Sequence, residues 1–489
     1  MEHHRPLHPF LGRVPHLERT WRGMHRPGVT ELLAAALAAA VVLGWSDAPL
    51  VEDSLFWWVP KGLLVAESGP DLVLAHTLPE VISEGLSVDA TPPQWASGLP
   101  DYAHPPLWYW WLGAWIRALG PSVEAIHLAC APVAAAAAAA WVALARRLGA
   151  PIAGLAPLAV PPVVAQFVRP ELDLPLLATV SWSLVALLGG RWGWFAAVSA
   201  LAVWCKEPGV LLVVPATLRI LSTREWRALP LAWSPLGALG IWGLLHGGLA
   251  SAERLPDSWH AWLMDDLPAA VRLVCWEQGR GLLLFGLVGA GLALRHRHRS
   301  PWRWLGGLVV CWCLFFSVVG FRLQPQNPDP LTHVRYFGPG VAILAVLSAV
   351  RWPWVSLPGL LFLHAASPYG PEASFYGVDA GRAEAASAGW IQDRVKEGRS
   401  VWVGSYQVAA LSQSWAGHGT GGAAGVRMYS AQTDPRSLAL GDIVVFAAYG
   451  EPAGPILRTW TVDGLQEWTA GEASVVAAEI IGTREPSHR

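Results

Sequence analysis

Long apolar blocks alternate with short polar segments along residues 31–366, and beyond residue 366 the pattern becomes that of an ordinary soluble chain. A helix that crosses a bilayer needs about 20 mostly apolar residues, so the blocks predict membrane-spanning helices. We therefore predict a polytopic α-helical membrane domain over residues 31–366, after a polar N-terminal tail over 1–30. The predicted spans number about eleven, at residues 31–46, 124–145, 150–168, 175–190, 192–204, 208–222, 230–246, 281–294, 304–321, 337–350 and 352–366.

The arginines lie mainly in alternate loops, such as those that hold Arg146 and Arg147, Arg219, and Arg295. Loops rich in Lys and Arg stay in the cytoplasm. This rule predicts a cytoplasmic N-terminus and, after an odd number of spans, a C-terminal domain outside. The 30 tryptophans, the long alanine runs and the scarcity of lysine suggest a GC-rich bacterial genome. We expect a multi-pass protein of the bacterial inner membrane whose C-terminal domain is periplasmic.

The first outer loop, residues 47–123, holds two aromatic clusters, at 55–59 (Leu-Phe-Trp-Trp-Val) and 108–111 (Trp-Tyr-Trp-Trp). Trp and Tyr are enriched where a membrane meets water. We predict helices along the outer membrane surface at residues 53–68 and 105–119. A span at 105–119 is the alternative, but it would leave Arg146 and Arg147 outside.

The C-terminal part, residues 367–489, has the alternation of a small α/β domain. A helix is predicted at 382–397, and buried strands at 400–404 and 442–447. The second strand is a short apolar run that is consistent with a parallel sheet. The glycine-dense segment at 417–425 contains the spacing Gly-x-Gly-x-x-Gly. Dinucleotide binding needs a strand before that spacing and a helix after it. Neither is predicted here, so the segment is interpreted as a flexible loop.

Composition excludes several classes of function. Only 14% of the residues are charged, against about 25% in soluble domains. The net charge of −2 and the lack of a basic tract argue against nucleic acid as a partner. The five cysteines do not form a disulfide framework. The histidines lack the spacing of metal ligands, so we predict no resident metal site.

Four short stretches on the predicted outer face carry charged or titratable groups at helix ends. Such groups are expensive next to lipid and are therefore candidates for function. The stretches are 52–53 (Glu-Asp), 102–109 (Tyr-Ala-His-Pro-Pro-Leu-Trp-Tyr), 205–208 (Cys-Lys-Glu-Pro) and 333–336 (His-Val-Arg-Tyr).

Taken in order, these stretches resemble the C-type glycosyltransferase superfamily, and in particular the bacterial relatives of the protein O-mannosyltransferases and of the aminoarabinose transferase that acts on lipid A. The resemblance covers about residues 31–350. Its parts are Asp53 with Phe56 and Trp57, the run from His104 to Tyr109, the run from Lys206 to Gly209, and the pair Arg335 and Tyr336. The chain departs from the family at Ser54, because the acidic motif is usually Asp-Glu and here reads Glu-Asp-Ser.

The resemblance implies an inverting transfer of a sugar from a polyprenyl-phosphate carrier to a lipid, glycan or protein acceptor at the outer face. Such a displacement needs a base for the acceptor proton, and Asp53 is the candidate, with Glu52 beside it. Asp53 is alternatively the N-cap of a helix over 54–65. The leaving phosphate needs cations. Lys206 suits one phosphate oxygen; its alternatives are snorkelling to the interface and pairing with Glu207.

The remaining candidates also have structural alternatives. Arg335 binds phosphate bidentately or, with Tyr336, anchors a helix at the interface. His104 binds phosphate or sugar, or only begins a turn. Asp173 matches an acid often seen in this superfamily. With Glu171 it suits sugar hydroxyls or a divalent metal, unless both are solvated loop charges.

Two functions of other classes remain open at this point. A transporter or flippase of lipid-linked glycans often shows internal repeats and mid-membrane charges, whereas here we find no repeat and the charges lie at one face. A non-enzymatic membrane scaffold would tolerate alanine at Asp53, Lys206 and Arg335.

Overall fold

The structure is a computed structural model. It describes residues 28–46, 50, 54, 58–70, 104–120, 122–245, 258–272, 283–295, 301–319, 330–366, 378–404, 408, 426–429, 434–447, 454–471 and 473–484. The predictions for residues 1–27, for Glu52 and Asp53, and for the glycine-dense segment 417–425 lie outside this part of the chain.

The region up to residue 366 is helical where it is described. Its α-helices are α1 (Val29–Gly44), α2 (Val59–Ser68), α3 (Leu107–Leu119), α4 (Val123–Arg147), α5 (Pro161–Ala165), α6 (Asp173–Leu188), α7 (Trp192–Cys205), α8 (Val213–Thr223), α9 (Leu229–Ala232), α10 (Ser234–Leu245), α11 (Trp259–Ala261), α12 (Leu267–Arg272), α13 (Leu284–Arg295), α14 (Pro301–Val319), α15 (Pro330–Arg351) and α16 (Pro353–Ala366). Short 3-10 helices lie at Pro151–Ala159, Glu207–Leu212 and Trp226–Ala228, and a π-helical turn at Trp262–Asp266.

Most predicted spans coincide with a helix within a few residues, but the count of eleven is not confirmed. Within the described residues, three helical stretches are long and apolar enough to cross a membrane by themselves, namely Val123–Arg147, Trp226–Leu245 and Pro301–Val318. The other apolar helices are shorter. Helices α2 and α3 lie within the segments 53–68 and 105–119, and their predicted place along the outer membrane surface stays a prediction.

The prediction of single helices at 150–168 and 208–222 is wrong. The first is a 3-10 helix over Pro151–Ala159 followed by the five-residue α5, and the second begins with the 3-10 helix Glu207–Leu212. Proline is the physical reason, because each one removes a backbone donor and clashes with the preceding helical turn. Proline occupies the first or second position of all three elements.

The helical core is built around α4, which packs on α1, α6 and the 3-10 helix Pro151–Ala159. The facing residues of α4 are small, including the fully buried Ala134, Ala137 and Ala138. Small side chains let helix backbones approach closely, which is how helices associate in lipid. Gly154 meets α4 at the tightest point, where an added methyl group would lie 2.3 Å from Val142 Cα.

The C-terminal region combines one long helix with one sheet. The helix predicted at 382–397 is α17 (Val378–Lys396), and the strands are β1 (Val401–Val403), β2 (Val426–Met428), β3 (Ile443–Ala447), β4 (Trp460–Ala470) and β5 (Ala473–Thr483), with the short helix α18 at Gly454–Thr459. The strand order is β2-β1-β3-β5-β4. Strand β1 pairs in parallel with β2 and β3, whereas β5 pairs antiparallel with β3 and β4. The sheet is therefore mixed, and the expectation of a parallel sheet holds only for its first three strands. Two residues separate β4 from β5, and such a short connection joins only antiparallel strands.

Candidate functional site

A buried ion pair lies where α6 begins and α7 ends. Lys206 Nζ donates to Asp173 Oδ1 at 2.6 Å, and the side chains of both residues are at most 6% exposed. Asp173 is the first residue of α6, and Lys206 is the C-cap of α7, in an extended conformation with φ −162° and ψ 138°. The same ammonium lies 4.8 Å from the centroid of the Tyr336 ring on α15. Lys206 therefore neither snorkels to the surface nor pairs with Glu207.

A second charged contact involves Glu207, the residue after Lys206. His104 Nδ1 and Glu207 Oε2 are hydrogen-bonded at 2.7 Å. This bond ties the segment before α3 to the corner between α7 and α8. The ring of Trp58 lies 5.6 Å from His104 and 5.9 Å from Tyr109 between centroids. Lys61 lies in the first turn of α2 and is fully buried. Its ammonium lies 5.4 Å from the centroid of the Tyr109 ring.

The third contact group surrounds Glu171, in the segment before α6. Ser54 Oγ donates to Glu171 Oε1 at 3.4 Å, and Arg169 Nη1 lies 3.7 Å from the same oxygen. All three residues are buried. Trp108 holds the segment in place by donating from Nε1 to the carbonyl of Pro170 at 3.0 Å. Glu171 and Asp173 are therefore not solvated loop charges.

Opposing effects act on the carboxyl group of Glu207. Burial alone would raise its pKa. The charge of His104, the hydrogen bonds from His104 and the backbone, and the charge of Lys206 together outweigh burial and lower the pKa below its ordinary value of 4.5. Glu207 is thus held as a carboxylate.

A pH dependence follows from this lowered pKa. A carboxyl group whose folded-state pKa is depressed stabilises the fold fully above its unfolded-state pKa, and the stabilisation disappears as pH falls through the folded-state value. We expect the melting temperature of the wild type to fall more steeply with decreasing pH below pH 4.5 than that of Glu207→Gln. Thermal unfolding of both proteins in detergent between pH 7 and pH 3.5 checks this, and parallel curves would contradict it.

The corner that carries Lys206 and Glu207 depends on Gly209. An added methyl group there would lie 2.6 Å from the backbone carbon of Ala202 and from the nitrogen of Val203. Backbone cannot move aside as a flexible side chain does, so we expect Gly209→Ala to cost about 1–3 kcal/mol in unfolding free energy. Gly193→Ala on α7 is the matched control, because nothing lies within 4 Å of the added group. The control should be neutral or stabilising by about 0.5–1 kcal/mol. Equal melting temperatures for the two variants would contradict the role of Gly209.

An apolar groove of about 570 Å³ begins beside the ion pairs and runs between α3, α4, α6 and α7. Its inner end is formed by residues next to the charged groups, such as Leu107, Pro175 and Cys205. Its outer part includes Trp194 and Leu201, which are 58% and 45% exposed. The groove therefore extends from residues that neighbour the charged groups in the sequence to an exposed side of the helices.

The structure brings five of the predicted site residues together: His104, Glu171, Asp173, Lys206 and Tyr336. Arg335 lies on α15 beside Tyr336, but its side chain is outside the described part of the structure, as are Glu52 and Asp53. The helix α2 begins at Val59 with Trp58 at its N-cap position. Asp53 lies outside the described residues, and Ser54 and Trp58 are both helical, so the N-cap alternative for Asp53 stays a prediction.

Sequence reasoning missed Ser54, Lys61, Arg169 and Glu207 as members of this cluster. Lys61 could have been found from the rarity of lysine in the chain, and Arg169 from its place in the same short loop as Glu171 and Asp173. Within the residues that are described, no group of three or more His, Cys, Asp or Glu side chains is arranged to hold a metal ion. The cluster can instead place buried cations and carboxylates around an anionic group at the mouth of an apolar groove.

No protein-family model and no curated protein matches the sequence. The fold is similar to that of ArnT from Cupriavidus metallidurans, in a crystal structure with undecaprenyl phosphate bound. The TM-score is 0.54 at 15% sequence identity, and the match covers 91% of this chain and 97% of that one. The resemblance expected from the sequence is confirmed at the level of the fold: over 91% of its length, this chain has the fold of ArnT.

Proposed function

We propose that this protein is a membrane glycosyltransferase that moves a sugar from a polyprenyl-phosphate carrier to an acceptor at the periplasmic face. The observation that carries the proposal is the buried cluster around Asp173 and Lys206 at the mouth of the apolar groove. A bilayer protein keeps buried charges mainly where they are used. Here the buried charges adjoin a groove that suits an apolar chain. A lipid-linked phosphate combines an apolar chain with an anionic group and therefore fits both features.

The groove supports a polyprenyl chain as the lipid part of the donor. It is lined almost entirely by apolar side chains, and its exposed edge at Trp194 and Leu201 lets the rest of a long chain continue into the bilayer. Its inner end at Cys205 directly precedes Lys206 in the chain, so a bound chain would bring its phosphate to the cluster. The undecaprenyl phosphate held by ArnT, a protein of the same fold, agrees with this class of lipid.

The proposed reaction is a single displacement with inversion. Asp53 accepts the proton of the acceptor hydroxyl, whose oxygen bonds to the anomeric carbon while the bond from that carbon to the phosphate oxygen breaks. The polyprenyl phosphate leaves with an added negative charge. Lys206, with Arg335 and His104, stabilises that charge. Asp173 holds the ammonium of Lys206 in place, and Tyr336 covers it. Lys61 adds a further buried cation to the cluster.

Glu171 supplies the second carboxylate that the acidic motif lacks. Ser54 stands where the superfamily usually has Glu, and its hydroxyl donates to Glu171. A carboxylate from the segment before α6 therefore lies against the residue that follows Asp53. We assign Glu171 and Asp173 to positioning the cations and the sugar, and Glu52 as the alternative base.

The domain arrangement belongs to the same proposal. The tail 1–30 is cytoplasmic, the helical domain 31–366 holds the site, and the domain 367–489 is periplasmic and contributes to recognition of a lipid, glycan or protein acceptor. The arginine-rich loops, which the positive-inside rule assigns to the cytoplasm, support this orientation.

Transfer of labelled sugar from a defined carrier tests the proposal. Purified protein in liposomes is given undecaprenyl-phosphate donors that carry a radiolabelled pentose or hexose, together with an envelope extract as the source of acceptor. We expect label to leave the carrier, unlabelled undecaprenyl phosphate to form, and the new glycosidic bond to have the opposite anomeric configuration. Formation of undecaprenol and sugar phosphate would instead mean cleavage on the lipid side of the phosphate and would contradict the proposed displacement at the anomeric carbon. Retention of all label on the carrier, with the protein folded and every donor tried, would overturn the proposal.

A further inference from the structure

A second cluster of cations lies at the other end of the helices that carry the candidate site. Helix α6 starts at Asp173 in the site and ends at Leu188, a length of 16 residues, which is about 24 Å along the helix axis. The turn Gly189, Gly190 and Arg191 then leads into α7, which returns to the site at Lys206. The turn is thus separated from the candidate site by about one helix length.

Three arginines lie at this turn. A methyl group added to Gly189 would lie 2.6 Å from Arg147 Nη1, and one added to Gly190 would lie 3.0 Å from Arg219 Nη2. The guanidinium groups of Arg147 and Arg219 therefore rest against two consecutive glycines, and Arg191 is the next residue. Electrostatic repulsion from both Arg191 and Arg219 acts on Arg147. The arginines come from the end of α4, the α6–α7 turn and α8.

Arg219 is held by protein groups. Its Nη1 donates to the carbonyl of Leu187, one of the last carbonyls of α6, where a cation is favourable. Its Nη2 lies 3.2 Å from Glu225 Oε1, and the guanidinium lies 5.1 and 5.4 Å from the ring centroids of Trp192 and Trp304. Its Nε is a buried donor without a hydrogen-bond partner.

The nearby acids are already occupied. Glu225 pairs with Arg219 and also accepts a 2.6 Å hydrogen bond from Trp192 Nε1. Glu31 pairs with Arg146, the neighbour of Arg147. Among the described residues, the side chains of Arg147 and Arg191 have no acidic partner. Like charges close together repel one another. Glu225 compensates only Arg219, so Arg147 and Arg191 lack a counter-charge among the described residues.

We infer that Arg147 and Arg191, supported by Arg219, bind the phosphate headgroup of an anionic phospholipid. Guanidinium groups pair bidentately with phosphate oxygens, and basic pockets between membrane helices bind anionic headgroups such as cardiolipin. A lipid fits better than a soluble phosphate because the cluster lies at the end of membrane helices beside exposed aromatic rings. Trp194 and Trp226 there are 58% and 55% exposed, as interfacial side chains are. This inference does not depend on the proposed transfer reaction.

Lipid binding in nanodiscs tests the inference without any activity assay. The full chain is placed in discs of phosphatidylcholine alone or with cardiolipin, and both the melting temperature and the bound lipids, counted by native mass spectrometry, are compared. We expect cardiolipin to raise the melting temperature of the wild type. Arg147→Gln with Arg191→Gln should bind it roughly 30-fold more weakly, at about 1 kcal/mol for each arginine.

A matched double variant separates this site from general surface charge. Arg224→Gln with Arg227→Gln removes two exposed arginines near the same end of α8 and should keep the wild-type shift. Arg191→Glu changes an exposed position and leaves the buried Arg219 unchanged. In this variant, cardiolipin should also no longer raise the melting temperature. Equal shifts in all variants would overturn the inference. Stabilisation by inorganic phosphate in phosphatidylcholine discs, lost with Arg147 and Arg191, would overturn the lipid assignment in favour of a soluble anion.

Discussion

Replacing Lys206 with methionine in an otherwise unchanged chain is expected to lower the unfolding free energy by about 3–5 kcal/mol. The variant leaves the carboxylate of Asp173 buried without its cation, because that carboxylate is 5% exposed and accepts from Lys206 at 2.6 Å. The cation contact with Tyr336 is lost as well. Chemical unfolding in detergent micelles, followed by tryptophan fluorescence, measures the loss.

A second substitution distinguishes stability from function. Asp173→Leu combined with Lys206→Met removes both charges, and replacing a buried pair by apolar groups is often neutral or stabilising. We expect the double variant to recover most of the stability lost in Lys206→Met. We also expect it to stay inactive, since the ammonium of Lys206 then no longer faces the leaving phosphate. The control is Lys396→Met, which breaks a 3.3 Å pair between side chains that are 71% and 63% exposed and should cost at most about 1 kcal/mol. A double variant that is less stable than either single one would contradict a direct pairing, and full activity in it would remove Lys206 from the mechanism.

Asp53→Asn is expected to reduce sugar transfer by roughly 100- to 10,000-fold, which is the range for loss of a general base. The amide keeps the size of the side chain but cannot take the acceptor proton. Ser54, the next residue, is fully buried against Glu171, so this part of the loop already adjoins the charged cluster. The melting temperature should stay close to that of the wild type. The measurement is the rate at which labelled sugar leaves undecaprenyl phosphate.

Glu52→Gln is the matched control for Asp53→Asn, because it removes the neighbouring carboxylate by the same chemistry. We expect it to keep most of the activity. If Glu52→Gln abolishes transfer and Asp53→Asn does not, the base is Glu52 and the shift of the acidic motif by one residue is real. If both variants turn over like the wild type, Asp173 becomes the candidate base. Glu171→Gln separates positioning from proton transfer, because a positioning residue changes KM or kcat without removing the acidic limb of the pH profile, which reports the general base.

Periodicity and proline content explain where the fold prediction succeeded and failed. Apolar blocks such as 124–145 correspond to real helices because burial in lipid and burial in a helical core both require apolar side chains along a whole segment. The block at 150–168 is equally apolar, yet its prolines prevent one continuous helix. Those prolines can be read in the sequence, so the break in the helix could have been predicted from them. The antiparallel strands β4 and β5 were missed because their alternation is weak and one of them, β4, is largely exposed.

The sequence by itself determined a polytopic helical protein with a C-terminal α/β part, and it marked the helix ends that carry charge. It did so because hydropathy and charge act on each segment locally. Only the tertiary structure decided which charges pair. Lys206 contacts Asp173, 33 residues away, and not its neighbour Glu207. The extended backbone at the end of α7 turns the two side chains toward different helices, and Glu207 reaches His104, 103 residues away. Pairing across such distances depends on how whole helices pack against one another, which no local pattern records.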